Sequence, residues 1–340
     1  MTPQGTAPTA PGAAAAQDTL PHLTLGLTYS DRSAPLLDGT VSSARFRHSV
    51  VVDAPGALFV RMIRERSFDA CEMSLATYAI RRSRGVDDLT AIPVFPSRGF
   101  LHHTLYTRRP IGNGGLAHVR AVGVPEYQMT AAVWAREILR DELGIARDVP
   151  WCTGALEHGS RTERIPLDPA ARRFVRPIED GQSLVALLVA GEIDLLVSPT
   201  APRALGTEPG SVQRLLSDFA EREVAYYERT RVFPILHTVV VRTELLRERP
   251  SLADELCELF TEAKDLALRR LERTDSYAAS LAWLPGAVEF QRRILGDRPW
   301  PYGVDENERS LSAFLSACDR QGLLEAPLSI DELFRVPASR

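Results

Sequence analysis

Lysine is all but missing from this chain. Of its 340 residues only Lys264 is one, and the rest of the 40 basic side chains are arginine. The codon bias of a GC-rich genome accounts for most of that, yet the scarcity constrains chemistry. A Schiff-base or pyridoxal mechanism would have to use Lys264, which falls in the middle of a helical pattern at 252–273, so none is expected. A phosphate-cradling loop ending in Gly-Lys is absent. The four cysteines, Cys71, Cys152, Cys257 and Cys318, are widely spaced with no Cys-x-x-Cys pair, a pattern of reduced structural thiols in a cytoplasmic protein. No stretch approaches the roughly 18 consecutive apolar residues of a membrane span. There is no basic run, and a net charge of −4 argues against a nucleic-acid-binding face. Residues 1–20 carry no Lys or Arg, and Ala13–Ala16 is shorter than the roughly 7–15-residue apolar core of a secretion signal, so they read as a disordered leader. His-Glu-x-x-His, Gly-x-Ser-x-Gly and EF-hand spacings are also missing.

What is present is an α/β pattern. Hydrophobic content of 44% and charged content of 25% are those of a globular chain, and 340 residues exceed one ordinary core, which predicts two lobes. Strand patterns at 22–28, 49–53, 68–73, 91–95 and 100–108 are interleaved with helical patterns at 56–66 and 75–84. The alternation restarts with a strand at 119–124, an amphipathic helix at 130–143, a helix at 184–190 and a buried strand at 193–197. Helices at 212–219 and 220–229, a strand at 235–242, and helices at 252–273, 286–295 and 306–320 complete the chain. Layers of helices on a largely parallel sheet follow. Extended crossings near 106–115 and 233–242 predict a two-lobed clamshell, with 21–108 and 239–340 in one lobe and 109–238 in the other.

In such a fold a ligand lies between the lobes at the strand ends. Those ends carry Ser30-Asp31-Arg32, Glu72-Met73-Ser74, Ser97-Arg98, Glu126-Tyr127, Ser198-Pro199-Thr200 and His237. Guanidinium, imidazole, carboxylate, phenol and hydroxyl groups together suit a carboxylated aromatic ring on which protons are moved. Gly112-Asn113-Gly114-Gly115 resembles a dinucleotide turn but leads into a strand rather than a helix, so it reads as an interlobe loop.

Phe68-Asp69-x-x-Glu72-Met73-Ser74, Phe95-Pro96-Ser97-Arg98-x-Phe100, Gly123–Ala132, Trp151-x-x-Gly154, Gly191-Glu192-Ile193-Asp194 and Arg229-Thr230-x-x-Phe233-Pro234-Ile235-x-His237 together resemble the 4,5-dihydroxyphthalate decarboxylase family over residues 22–330. The resemblance implies a type 2 periplasmic-binding-protein-like fold and cofactor-independent, non-oxidative loss of carbon dioxide from a hydroxylated aromatic acid. Two positions depart from the family pattern: Leu101 replaces an arginine and Ala155 a glycine. Rival expectations are an intracellular sensor that binds an aromatic acid without turning it over, and a lyase of the same fold acting on a chorismate-derived acid, as in the menaquinone pathway.

Decarboxylating an arene needs an acid at the ring carbon, a group that takes up the phenolic proton, and a cation to orient carboxylates. His102, with His103 beside it, and His237 are the imidazole candidates, because their ordinary pKa lies near working pH. The resemblance favours His102 over His103. Glu126 and Glu72 are carboxylate candidates for acid–base work, since an apolar cleft can raise a carboxyl pKa. Arg98 and Arg32 are the expected carboxylate clamps. Ser74, Ser97, Tyr127, Thr130 and Thr200 are expected to bond ring hydroxyls. No metal is expected; a divalent ion on His102, His237 and Glu126 is the minority alternative. The expected partner is a small aromatic carboxylate, with no nucleic acid or membrane, and C-terminal helices beyond a minimal two-lobed unit suggest a homodimer.

Overall fold

The computed structural model describes residues 20–109, 115–207 and 212–337. The expected leader lies outside them except for Leu20, as do Gly112, Asn113 and Gly114 of the glycine-rich turn. From the N-terminus the chain forms β1 (His22–Leu27), α1 (Ala34–Leu37), β2 (Arg47–Val52), α2 (Pro55–Glu65), β3 (Ala70–Ser74), α3 (Leu75–Ser83) and β4 (Leu89–Arg98). It continues through β5 (Leu105–Thr107), β6 (Val122–Val124), α4 (Thr130–Asp141), β7 (Trp151–Thr153), α5 (Pro169–Arg172), β8 (Val175–Pro177), α6 (Leu184–Ala190), β9 (Leu195–Val197), β10 (Gln213–Arg214) and α7 (Phe219–Thr230). Last come β11 (Ile235–Arg242), α8 (Thr243–Glu248), α9 (Leu252–Leu271), α10 (Leu284–Leu295), α11 (Glu308–Arg320) and α12 (Ile330–Phe334).

Local chemistry sets the boundaries. Pro55 opens α2 at a position that needs no N–H, and Arg66 closes it in the left-handed region at φ 51°. Ser74 ends β3 and caps α3 by accepting from the Thr77 N–H. Ser183 caps α6, and Gly191 at φ 78° terminates it where a side chain would be strained. Gly123 is required for a different reason: a Cβ there would lie 2.6 Å from the Ile193 side chain.

Two sheets result, ordered β2-β1-β3-β11-β4 and β10-β5-β9-β6-β7-β8. In the first, β1 runs parallel to β2 and β3, while β11 is antiparallel to β3 and β4. In the second, β6 is parallel to β7 and β9, and β5 is antiparallel to β9. The architecture is the two-lobed α/β clamshell. Because β5 belongs to the second sheet and the whole of β11 to the first, the crossings lie before Leu105 and before Ile235, earlier than the expected 108/109 and 238/239. The C-terminal helix α11 ties the lobes together: Phe314 packs on Trp134 of α4, and the Trp134 indole N–H donates to the Ile235 carbonyl at 3.0 Å.

Two expected elements are replaced. Residues 100–108 are not one strand. Phe100 stacks on Phe233, the Thr104 N–H returns to the Leu101 carbonyl, and His102–Thr104 form a 3-10 turn before β5. Where a helix is expected at 212–219, β10 instead covers the free edge of β5, with the Leu215 N–H donating to Leu105 at 2.8 Å. Among the described residues no helix is long and apolar enough to cross a membrane, and all four cysteines are free.

Candidate active site

The strand ends of the first sheet form one row. Ser74 of β3 and His237 of β11 lie directly opposite in a regular antiparallel ladder and share a face, and Ser97 of β4 pairs with His237 on the other side, where the ladder is irregular. Glu72, two residues before Ser74 and 1% exposed, reaches along the same face. Its Oε1 meets His237 Nδ1 at 2.6 Å. Its Oε2 accepts from the Thr28 N–H at 3.0 Å and from the Thr28 hydroxyl at 2.5 Å. Burial alone would raise this carboxyl, but the hydrogen bonds from His237 and Thr28 and the attraction of the imidazole outweigh it and hold Glu72 below the usual range. An ionised carboxylate can only accept, so the proton on His237 is assigned to Nδ1 and Nε2 is left for a ligand. The imidazole packs edge-on against Phe59 of α2, with ring centres 5.0 Å apart.

The second lobe brings cations to the same place. Glu126 follows β6, and its Oε1 accepts from Arg161 Nε and Nη2 at 2.9 and 2.7 Å and from Arg164 Nη2 at 2.9 Å. Both arginines come from the connection between β7 and α5. Arg164 also donates to the Thr77 hydroxyl at 2.9 Å and stands over the Phe59 ring at 5.0 Å. The Arg164 guanidinium and the His237 ring are therefore at most twice that distance apart, because both pack on Phe59. Burial lowers the Arg164 pKa against the opposing pull of Glu126. The neighbouring Glu163 is raised, first by burial, although it accepts from the N–H groups of Tyr127 and Gln128. Arg161, with a side chain 40% exposed, is the open member of the cluster and borders a cavity of about 340 Å³ with Thr153, Thr162, Glu163, Leu167 and Arg172. The Ser74 and Thr130 hydroxyls bond at 2.9 Å, and the Thr130 hydroxyl also accepts from the Ala76 N–H, joining the lobes behind the site.

Other expected site residues lie elsewhere or are engaged differently. Arg98 is buried, with Nη2 and Nη1 donating to the carbonyls of Phe233 and Pro301; burial lowers its guanidinium to about 10. It braces the crossing into β11 and lines a separate cavity of about 320 Å³ with Tyr227, Arg231 and Phe233, which Glu72 and His237 do not border. His102 is fully buried in its 3-10 turn, with Nε2 on Glu142 at 3.1 Å and the ring against Tyr226. Glu142 and Tyr226 line a separate groove of about 620 Å³ between α4, α7 and α11. His103 bonds Glu223 on α7 at 2.9 Å. The Tyr127 ring lies beneath the Arg136 guanidinium at 3.8 Å, inside the second lobe, and does not present its hydroxyl to the row of strand ends. Thr200 is exposed and accepts from the Ser198 hydroxyl through its carbonyl. Arg32 pairs with Asp31, donates to the Pro96 carbonyl and covers Trp300 at 4.2 Å. Among the described residues no three His, Cys, Asp or Glu side chains converge on a point that could hold a metal ion; His102 in particular is bonded to Glu142 rather than gathered with His237 and Glu126.

Arg161, Arg164, Glu163, Phe59 and Thr28 are site residues that sequence patterns do not single out. The one signal is Arg161-Thr162-Glu163-Arg164, alternating charges in a non-periodic loop, and in a chain this rich in arginine it has no contrast.

No family model matches the chain. It is 34% identical over 321 residues to the 4,5-dihydroxyphthalate decarboxylase of Comamonas testosteroni, covering 94% of this chain and 97% of that one. It is 36% identical over 184 residues to the enzyme of that name from Pseudomonas putida, covering 53% of this chain and 71% of that one. Among solved structures, a structural-genomics protein of Archaeoglobus fulgidus superposes with TM-score 0.52 at 14% identity, covering 89% of this chain and 98% of that one. The periplasmic aliphatic sulphonate binding protein of Escherichia coli superposes with TM-score 0.50 at 11% identity, covering 94% and 93%. At these identities the likeness is one of fold, the periplasmic-binding-protein-like clamshell.

Proposed function

The chain belongs to the 4,5-dihydroxyphthalate decarboxylase family and is a carboxy-lyase, and from that premise we propose that it decarboxylates a dihydroxyphthalate-like acid, without a cofactor, between Glu72–His237 and Arg161–Arg164. The observation that carries the proposal is an imidazole fixed by a buried carboxylate and packed on Phe59, the same ring over which the Arg164 guanidinium stands, with Arg161 joined to Arg164 through Glu126.

The substrate ring lies along Phe59. Arg161, with the buried charge of Arg164 behind it, holds the carboxylate that is retained, by charge-assisted hydrogen bonds, and Glu126 holds both arginines. The carboxylate that leaves faces the Phe59 ring, whose negative face offers its charge nothing, so binding favours the transition state over the ground state. A hydroxyl para to that carboxylate gives its proton to solvent water, which pushes electron density onto the ring carbon. His237, protonated at both nitrogens, donates from Nε2, and a C–H bond forms at the carbon bearing the leaving group. The C–C bond then breaks, its electron pair restores the aromatic ring, and carbon dioxide departs. The hydroxyl of the product regains its proton, so one proton is consumed overall. Glu72 accepts from Nδ1–H and so holds the imidazolium with Nε2–H turned to the ring, and a positioned acid or base of this kind contributes about 10²–10⁴-fold. Ser97, beside His237 across the strand pair, is placed to bond a ring hydroxyl.

The test is carbon dioxide release from chelator-treated protein given 4,5-dihydroxyphthalate and a panel of hydroxylated benzoates. Release from the ortho-dicarboxylate without added metal is expected. Release only after metal is restored, or binding of the acid with no release, overturns the proposal.

A further inference from the structure

Helix α10 carries two apolar faces, and only one of them is used. Leu284 is buried, and Val288, Gln291 and Leu295 are half-buried on the side of α9. On the other side, Trp283, Ala287, Phe290 and the half-buried Ile294 follow one another at helical spacing, with the Arg293 guanidinium flanking the stripe over the Phe290 ring at 5.2 Å. Trp283 is 79% exposed and Phe290 45% exposed. The preceding loop also exposes Tyr277 and Leu281, 50% and 46%. A lone exposed apolar side chain is ordinary, but a contiguous aromatic patch is a mark of an interaction surface.

We propose that this face is where two copies of the chain pair, antiparallel about a two-fold axis. The stripe fits itself. With the axis crossing between Val288 and Glu289, Trp283 of one copy meets Ile294 of the other, and the small Ala287 receives the large Phe290, twice over. A two-fold interface demands this kind of self-complementarity, the same patch serving both sides. The area also suits a second copy. At roughly 150–250 Å² per aromatic side chain, the exposed parts of Trp283, Phe290 and Tyr277 come to about 300–400 Å². That is close to half of the roughly 800 Å² per partner in a stable interface, before the flanking polar residues are counted. Tryptophan and tyrosine are also the side chains that dominate such interfaces. The paired helices lie outside the candidate active site, so each copy keeps its own Glu72–His237 pair.

The test is light-scattering mass of the purified full chain at micromolar concentration, with Trp283→Asp and Phe290→Asp beside it. The wild type is expected as an even-numbered assembly, and both variants at half its mass, with far-ultraviolet circular dichroism and carbon dioxide release retained. A wild type that is a single copy, whether or not it binds lipid vesicles or another protein, overturns the proposal. So does a wild-type mass in both variants, which would put the contact elsewhere. If Trp283→Asp fails to fold, Phe290→Asp decides, supported by the Trp283 fluorescence of the wild type, which should shift to longer wavelength as dilution separates the copies.

Discussion

Replacing Glu72 by glutamine tests the imidazole–carboxylate pair with almost no change of volume. Oε2 of Glu72 faces two donors, the Thr28 N–H and hydroxyl, while Oε1 faces one nitrogen of His237. An amide has a single acceptor end. Turned so that its NH₂ met Thr28, it would set donor against the Thr28 N–H, which unlike the hydroxyl cannot turn to accept, so the oxygen takes the Thr28 side and the NH₂ the His237 side. Nδ1 then has to accept, and the imidazole proton moves to Nε2 in a neutral ring that cannot act as the acid. The expected loss in kcat is the whole contribution of a positioned acid or base, about 10²–10⁴-fold, or roughly 3–5 kcal/mol of barrier. The stability cost is smaller, about 1–3 kcal/mol, because the Thr28 bonds survive and one charge-assisted bond becomes neutral. Carbon dioxide release under saturating substrate, read beside thermal unfolding, separates the two. A kcat reduced less than about tenfold, in a protein that still binds substrate, would refute the tautomer argument.

Other outcomes follow from the same contacts. Arg161→Met is expected to raise KM for an ortho-dicarboxylate about 10–100-fold, the worth of a charge-assisted hydrogen bond, with little change for a monocarboxylate; equal losses for both acids would mean that Arg161 only braces Glu126. Because Glu72 is held below its ordinary value of 4.5, its contribution to stability is complete above that pH and is lost as pH falls through the folded value. The unfolding temperature of the wild type should therefore approach that of Glu72→Gln only in acid, and a gap unchanged down to the acid transition would contradict the assignment. Arg136 is fully buried, with two guanidinium nitrogens lacking partners and Nε on Gln321 at 2.5 Å. Arg136→Met should hold or raise the unfolding temperature, whereas Arg136→Ala leaves a cavity and costs about 2–5 kcal/mol; a loss from methionine as large as that from alanine would show that the charge itself is needed.

The helix at 184–190 and the strand at 235–242 form with the bounds their patterns predict, because capping by Ser183 and Gly191, or the β-branched run Thr238–Val241, speaks locally. Strands β7 and β8, three residues each, are too short to show a period and exist only through pairing with β6 and with each other. The same division governs the site. Glu72, His237, Ser74 and Ser97 are marked out by lying at strand ends, and the structure sets them along one row. Arg98 and His102 share that mark in the sequence, but the carbonyls of Phe233 and Pro301 and the carboxylate of Glu142 claim them, through contacts between residues far apart in the chain. Arg161 and Arg164 sit in a connection without periodicity, and only the fold shows that they converge on Glu126.

The most direct measurement is a crystal structure of His237→Asn soaked with 4,5-dihydroxyphthalate. The account predicts one carboxylate on Arg161 and Arg164, the ring along Phe59, and the carbon bearing the other carboxylate within reach of position 237. A ring bound instead in the groove between α4, α7 and α11, beside His102 and Glu142, would contradict it.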